Sequence, residues 1–249
     1  REIMLIAQDT GRWGADLPDG RDLAWLVDTL AEAHPDTWFR IMYLQPEGAT
    51  DELLSVMRRQ PKVLRYLDVP LQHCSGRVLR AMNRPGDRES LTALLGRIRE
   101  ALPGVVLRTT ILVGFPGETE ADFEELCAFI KELHFERLGC FAFSSEEGTP
   151  AASMPGQIPE TVKSRRRDIV MQTQERIADA YNQAQLGKTL DVLVESFDRY
   201  AECWFGRSAV DAPDIDGKVF FTTKTRVAPG DLIRVRITDC LDWDLLGER

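Results

Sequence analysis

The sequence predicts an α/β protein: a parallel α/β sheet or barrel, followed by a small antiparallel β-barrel. Three observations predict it. Through residue 150, short apolar runs rich in β-branched residues alternate with stretches of helical periodicity, which is how parallel sheets are written. Polar residues gather where those runs end, at the positions where such folds hold ligands. Beyond Gly187 the period changes to two, and turn signals such as Asp216-Gly217 and Pro229-Gly230-Asp231 separate short alternating runs. The expected division is residues 1–182 for the α/β part, with its linker and long helix, and 183–249 for the barrel.

The elements follow in order. Residues 3–7 read as a strand ending at Gln8-Asp9-Thr10-Gly11. Residues 22–34 read as a helix with Leu23, Leu26, Val27 and Leu30 on one face. A strand over 38–44 ends at Gln45, and Thr50 caps a short helix through Arg59. A strand over 63–69 ends at Pro70-Leu71-Gln72-His73, and Ser75 caps a helix carrying Val78, Leu79 and Met82. Residues 88–102 place Leu91, Leu95, Ile98 and Leu102 at helical spacing. The run 105–113 is nearly continuous in apolar and β-branched residues, as in a strand covered on both faces, with Arg108 interrupting it. Gly114-Phe115-Pro116-Gly117 then turns into a helix capped by Thr119, with Asp122 in the capping-box position. Strand, glycine turn and helix N-terminus together can hold a small polar ligand, although an ordinary βα turn reads the same way. A last strand spans 137–143.

Residues 151–159 read as a linker, and 160–185 as a long polar helix. Its run Lys163-Ser164-Arg165-Arg166-Arg167 could touch phosphates but reads as a solvated helix face. In the barrel, strands are expected around Leu190–Val194, over 219–221 and 232–237, and around the alternation Leu241, Trp243, Leu245.

A net charge of −9 disfavours broad nucleic-acid binding and favours a basic partner. The barrel itself, from residue 183, has 9 Lys and Arg against 12 Asp and Glu. No stretch approaches the roughly 20 apolar residues of a membrane span. The five cysteines are scattered, odd in number and without a CxxC spacing, as expected of reduced thiols in a cytoplasmic protein. Arg1 is not an initiator methionine and there is no signal peptide, so the chain reads as cut from something longer.

At this point the chain resembles the radical S-adenosylmethionine methylthiotransferases along its whole length. The matching stretches are EIMLIAQDT (2–10), YLDVPLQHCS (66–75), VLRAMNR (78–84), 108–119, EGTPA (147–151), GKTLDVLVE (187–195), DAPDIDG (211–217) and PGDLIRVRITDCLDWDLLG (229–247). The resemblance implies that the α/β part is a partial (β/α) TIM-like barrel, and the small antiparallel β-barrel resembles a TRAM domain. PLQHCS and Glu146-Glu147-Gly148-Thr149 are similar to the branch that modifies a ribosomal protein. The tRNA-modifying branch usually carries a PVQSGS-like and an RPGT-like stretch there.

The resemblance implies a reaction. A [4Fe-4S] cluster cleaves S-adenosylmethionine, the resulting radical takes hydrogen from the β-carbon of an aspartate in ribosomal protein S-twelve, a second cluster delivers sulfur, and another S-adenosylmethionine supplies methyl. It also implies that the CxxxCxxC cysteines lie upstream of residue 1. This chain would then bind neither cluster, hold no metal and not turn over alone. The remaining alternatives are a tRNA methylthiotransferase and a non-catalytic module docking on the ribosome.

By matching motifs, the resemblance places Gln8 and Asp9 at the methionine amino group, Gln72 at the ribose, and Arg108 at the methionine carboxylate or in an ion pair with Asp68. Gly114, Phe115 and Gly117 would lie along the adenine. Tyr43, His73 and Phe141 are the expected substrate-facing residues, with core packing as the other reading for Tyr43 and Phe141 and a structural role for His73.

Overall fold

Five strands lie side by side in chain order in the computed structural model, which describes residues 1–249. They are β1 (Glu2–Leu5), β2 (Trp38–Ile41), β3 (Val63–Asp68), β4 (Val106–Val113) and β5 (Arg137–Ala142), every adjacent pair parallel. The connecting helices are α1 (Leu23–Ala33), α2 (Asp51–Arg59), α3 (Gly76–Ala81), α4 (Arg88–Ala101) and α5 (Glu120–Leu133), and α6 (Glu160–Gln183) follows β5. Their starts are chemically marked. Asp22, Thr50, Asp87 and Thr119 each accept a backbone N–H of the first turn, and Asp87 with Ser90 and Thr119 with Asp122 form reciprocal capping boxes.

Alternation along the strands sorts their side chains between two faces. Phe39, Ile41, Val63, Leu67, Leu107, Ile111, Val113 and Leu138 enter a core of 35 buried residues, built with the apolar faces of α1, α2, α4 and α5. The opposite face is the concave lumen of a partial barrel. It carries Glu2 and Met4, Trp38 and Arg40, Leu64, Tyr66 and Asp68, Arg108 and Thr110, and Arg137, Gly139 and Phe141.

The C-terminal domain is a closed barrel in the order β10-β8-β7-β6-β9, from β6 (Thr189–Asp198), β7 (Cys203–Ser208), β8 (Val219–Thr222), β9 (Leu232–Leu241) and β10 (Asp244–Glu248). It is not antiparallel throughout, because β8 and β10 run parallel. Five strands that alternate in direction cannot close a ring without one parallel pair. Two expectations need correction. β7 has no counterpart in the sequence reading, since its sequence CWFGRS shows no alternation of apolar and polar residues. The alternation Leu241, Trp243, Leu245 is not one strand: the chain turns at Asp242, whose φ is +52°, between β9 and β10.

The barrel covers the end of the lumen at which the sheet strands begin. Trp38, Met42, Leu64, Tyr66 and Val106 pack against Leu193 and Ala212 of the barrel domain. Around this apolar plug runs a ring of buried charge. Arg40, fully buried, donates to Glu2 at 2.8 Å and to the Ala209 carbonyl at 3.1 Å, and Arg207 bonds both Glu2 and Glu195. Arg137 donates to Asp211 at 2.6 Å, and the Tyr66 hydroxyl donates to Asp216 at 2.6 Å. Charges so deeply desolvated are held only with their partners in place, so these pairs fix the docking geometry rather than merely add to affinity.

The basic run at 163–167 is also corrected. Lys163 and Arg166 are buried, Lys163 donating to the Phe143 carbonyl at 2.9 Å and Arg166 to Glu118 at 2.7 Å, while Arg165 and Arg167 face solvent. Two of the four cations therefore pin α6 to the sheet.

Candidate functional site

The lumen is closed at its floor and open at the ends of the strands. Between the two sits Asp68, the last residue of β3. Its Oδ2 accepts the Tyr43 N–H at 3.1 Å, whereas its buried Oδ1 has no hydrogen bond. Burial raises this carboxyl above the ordinary aspartate range, with the Tyr43 N–H and the Arg108 charge pulling the other way. Arg108, beside it on β4, places Nε 3.7 Å from Asp68 Oδ1, too far for a hydrogen bond. Its guanidinium makes none elsewhere, although its side chain is only 15% exposed. A half-buried donor and a buried acceptor thus sit side by side, each with unused capacity.

Gly139 on β5 lies beside Arg108, where a Cβ would meet only ordinary van der Waals contacts. A Cβ there would lie 3.7 Å from the Phe141 ring and 3.9 Å from Arg108 Nη2. Phe141 is 59% exposed and Tyr43 48% exposed, unusual for large apolar side chains at a concave surface. Two non-glycine residues at the strand ends hold left-handed backbone, Tyr43 at φ +56° and Gln72 at φ +66°. Gln72 is kept there by β4: its N–H donates to Thr110 and its carbonyl accepts from Leu112, both at 2.8 Å. Such conformations cost on the order of 1 kcal/mol and gather at functional sites.

The structure therefore brings Tyr43, Gln72, Arg108 and Phe141 to the open part of the lumen. Asp9 is on a separate wall. It caps the turn Thr10–Arg12 by accepting the Gly11 N–H at 3.1 Å, and it lines a cavity of about 490 Å³ with Gln45, Glu47 and Arg84. Gln8 precedes it, exposed and without a side-chain hydrogen bond. The loop is stitched to the end of β2, Thr10 donating from its N–H to the Tyr43 carbonyl and from its hydroxyl to that of Met42.

Three expectations are corrected. The Phe115 ring is buried rather than open to the lumen: it packs edge-on against Phe143 at 5.2 Å, with Val78. Gly114 is buried beneath the Lys163 stem, with which any Cβ would collide, and its N–H donates to Glu118 at 2.7 Å. Of that turn only Gly117 is half-exposed. His73 is fully buried on the helix side, its Nδ1 accepting the Ser75 N–H at 2.9 Å. It is a structural residue rather than a substrate-facing one.

Behind the turn lies a polar cluster that sequence reasoning missed. Glu118 accepts from Gly114 and Arg166, and Asp122 accepts from Ser75, Thr119 and Arg77. Burial raises the Glu118 carboxyl. For Asp122, hydrogen bonds from Thr119 and Ser75 outweigh burial and hold it below the ordinary range. His73 Nε2 lies 3.8 Å from Glu118, but burial lowers the imidazole to about 4, so this contact is not an ion pair at neutral pH. The only signals in the sequence were a glutamate directly after Pro-Gly and an arginine on the inward face of a basic run.

The buried imidazole has a consequence for stability. Its folded pKa of about 4 lies below the ordinary 6.5, so the unfolded state binds the proton first as pH falls. His73 therefore costs the fold nothing at pH 7 and withdraws stability between about pH 6.5 and 4, by about 3 kcal/mol at most. Glu118, with its raised carboxyl, acts with the opposite sign as pH falls. Urea denaturation of the native chain and of His73→Gln across this range separates the two: the difference in stability should shift in favour of the variant as pH drops. A pH-independent difference would contradict a neutral buried His73.

Two family models match the chain, the Radical SAM superfamily over residues 14–130 and the TRAM domain over residues 186–249. The ribosomal protein uS12 methylthiotransferase RimO of Desulforudis audaxviator is 48% identical over 245 residues, covering 98% of this chain and 54% of that protein. The protein of the same name from Geobacter sulfurreducens is 44% identical over 249 residues, covering 100% and 56%. The chain thus spans about half the length of the curated relatives it matches. Among solved structures, the radical SAM enzyme coproporphyrinogen III oxidase (HemN) of Escherichia coli superposes with TM-score 0.48 at 19% identity, over 64% of this chain and 37% of that one. With both domains in this order and identity to these relatives along nearly its full length, the chain belongs to the radical S-adenosylmethionine methylthiotransferase family, with the proteins named RimO.

Proposed function

We propose that this chain forms the S-adenosylmethionine-facing and substrate-facing part of an enzyme that methylthiolates ribosomal protein uS12 at the β-carbon of an aspartate. The observation that carries this reading is the unbonded guanidinium of Arg108 beside the orphaned Oδ1 of Asp68, in an open lumen flanked by exposed aromatic rings. An α-amino acid group has the two charges that this pair lacks. Arg108 suits the methionine carboxylate, through charge-assisted hydrogen bonds. Asp68 Oδ1 suits the ammonium, as do Gln8 and Asp9 on the neighbouring loop. Gln72, strained at the strand end, is assigned to the ribose, and the half-exposed edge of the turn at Gly117 to the adenine. Tyr43 and Phe141 wall the substrate channel, and their rings would exclude water from a reactive species.

Bound S-adenosylmethionine supplies the radical precursor and the methyl group. The family's two [4Fe-4S] clusters do not fit the residues present here. No three His, Cys, Asp or Glu side chains converge as metal ligands, and burial pushes the Cys74 and Cys140 thiols up to about 12, so both stay protonated. We assign the 249-residue chain no turnover by itself. No helix is long and apolar enough to cross a membrane, and we assign the enzyme to the cytoplasm, where its ribosomal substrate is made. The acidic balance of both domains favours a basic protein over tRNA.

The test is an assay of the chain within a protein of its relatives' full length, with uS12 and tRNA offered in parallel. Mass spectrometry should find the methylthio group on a uS12 aspartate. Methylthiolated tRNA with unmodified uS12 would refute the reading. In the same protein, Arg108→Ala should weaken S-adenosylmethionine binding about tenfold to a hundredfold by calorimetric titration, the worth of a charged hydrogen bond. Unchanged affinity would return Arg108 to a purely structural pairing with Asp68.

A further inference from the structure

A groove leaves the lumen near its floor, rounds the edge of β5 and continues along α6. Its inner part is a cavity of about 440 Å³ between the sheet and the barrel domain, walled by Arg108, Arg137 and Met171 on one side and by Asp214, Trp243 and Asp244 on the other. Trp243 also walls a second depression of about 470 Å³, with Glu175, Asp179 and Asp242. The indole, 38% exposed, is the step between the two.

The fold does not account for the charge of this groove. Glu175, Asp179, Asp214 and Asp242 are exposed, and no cation pairs with any of them. Glu175 and Asp179 stand at i and i+4 on α6, a spacing at which like charges destabilise a helix, and Asp242 adds a third charge beside them. Asp214 and Asp242 both sit in left-handed backbone, at φ +65° and +52°. A separate observation lies at the inner end. Arg137, with its side chain 4% exposed, lines the cavity, and its Nε has no hydrogen-bond acceptor. A buried donor without an acceptor is one that a peptide carbonyl would satisfy.

We propose that this groove docks an extended, lysine- and arginine-bearing segment of the protein substrate. Its cationic side chains would face Glu175, Asp179 and Asp242, one of them stacking on Trp243, and a backbone carbonyl would accept from Arg137 Nε. The segment would thus run toward Arg108 and the lumen. This rests on the reading of the chain as part of an enzyme acting on a basic ribosomal protein, and locates where that protein lies. The same carboxylates repel phosphates, which sets RNA against this path.

The experiment uses the 249-residue chain and three fluorescently labelled probes: a twelve-residue Lys/Arg-rich peptide, an RNA oligonucleotide of matching length, and purified uS12. Anisotropy titrations at low and high salt compare the native chain with the groove variant Glu175→Gln/Asp179→Asn/Asp242→Asn, with Trp243→Ala, and with the control Asp36→Asn/Glu89→Gln/Glu100→Gln. The control removes three exposed, unpaired carboxylates elsewhere. The groove variant should bind the peptide about tenfold more weakly and with a flatter salt dependence. Trp243→Ala should bind it about threefold to fivefold more weakly, and the control should match the native chain. Equal losses in groove variant and control, no loss in either, or tighter binding of RNA than of peptide would overturn the proposal. If uS12 binds and the groove variant leaves that affinity unchanged, the groove assignment fails while the substrate reading stands. If the peptide binds at the groove but uS12 does not bind, the substrate reading fails instead.

Discussion

Arg137 is the residue on which the architecture turns. It begins β5, faces the lumen floor and is almost wholly withdrawn from water. An arginine keeps its charge under any such conditions, so it must be met by carboxylates. Asp211 meets it at 2.6 Å and Asp216 lies within 4 Å, and both belong to the barrel domain. The sheet thus contains a buried cation that only the other domain can neutralise. Arg40 repeats the arrangement on β2, taking Glu2 from its own domain and the Ala209 carbonyl from the other. Neither domain has a well-satisfied floor alone.

That constraint shapes the site above it. Because Asp216 accepts the Tyr66 hydroxyl, and burial pushes the phenol up, Tyr66 stays a neutral donor beneath Asp68 and Arg108. The floor thus pairs each of its buried cations with a carboxylate, Arg137 Nε alone lacking an acceptor, while in the layer above neither the Arg108 guanidinium nor Asp68 Oδ1 has a hydrogen bond. The buried Glu118–Arg166 pair does similar work from the helix side, tying the glycine turn to α6. The turn is held from behind, and of its residues only Gly117 is half-exposed.

Much of this fold was legible in the sequence because its signals are local. Periodicity placed all five sheet strands, and Thr119 with Asp122 announced the start of α5. What was not legible depends on contacts distant along the chain. β7 carries Gly206 because any Cβ there would collide with the Leu193 carbonyl of β6, a reason that no reading of β7 alone supplies. Lys163 and Arg166 looked solvated because their acceptors, Phe143 and Glu118, lie 20 and 48 residues away. In the site, Arg108 was marked by being a charge in an apolar strand, and Asp68 entered only as its partner. His73 and Phe115 lay in motif stretches that resemble the family, yet a motif does not say which face of the sheet a side chain takes.

The central claim is that the two domains share one lumen floor. Hydrogen exchange of the native chain and of Asp211→Ala tests it most directly, since amide protection reports local opening. If the floor is shared, removing this carboxylate leaves Arg137 buried and under-partnered, and protection falls together in the barrel loop over residues 208–217 and in the sheet strands β3, β4 and β5. Loss of protection confined to the barrel loop, with the strands unchanged, would show that the sheet keeps its floor without the barrel, and would contradict the account.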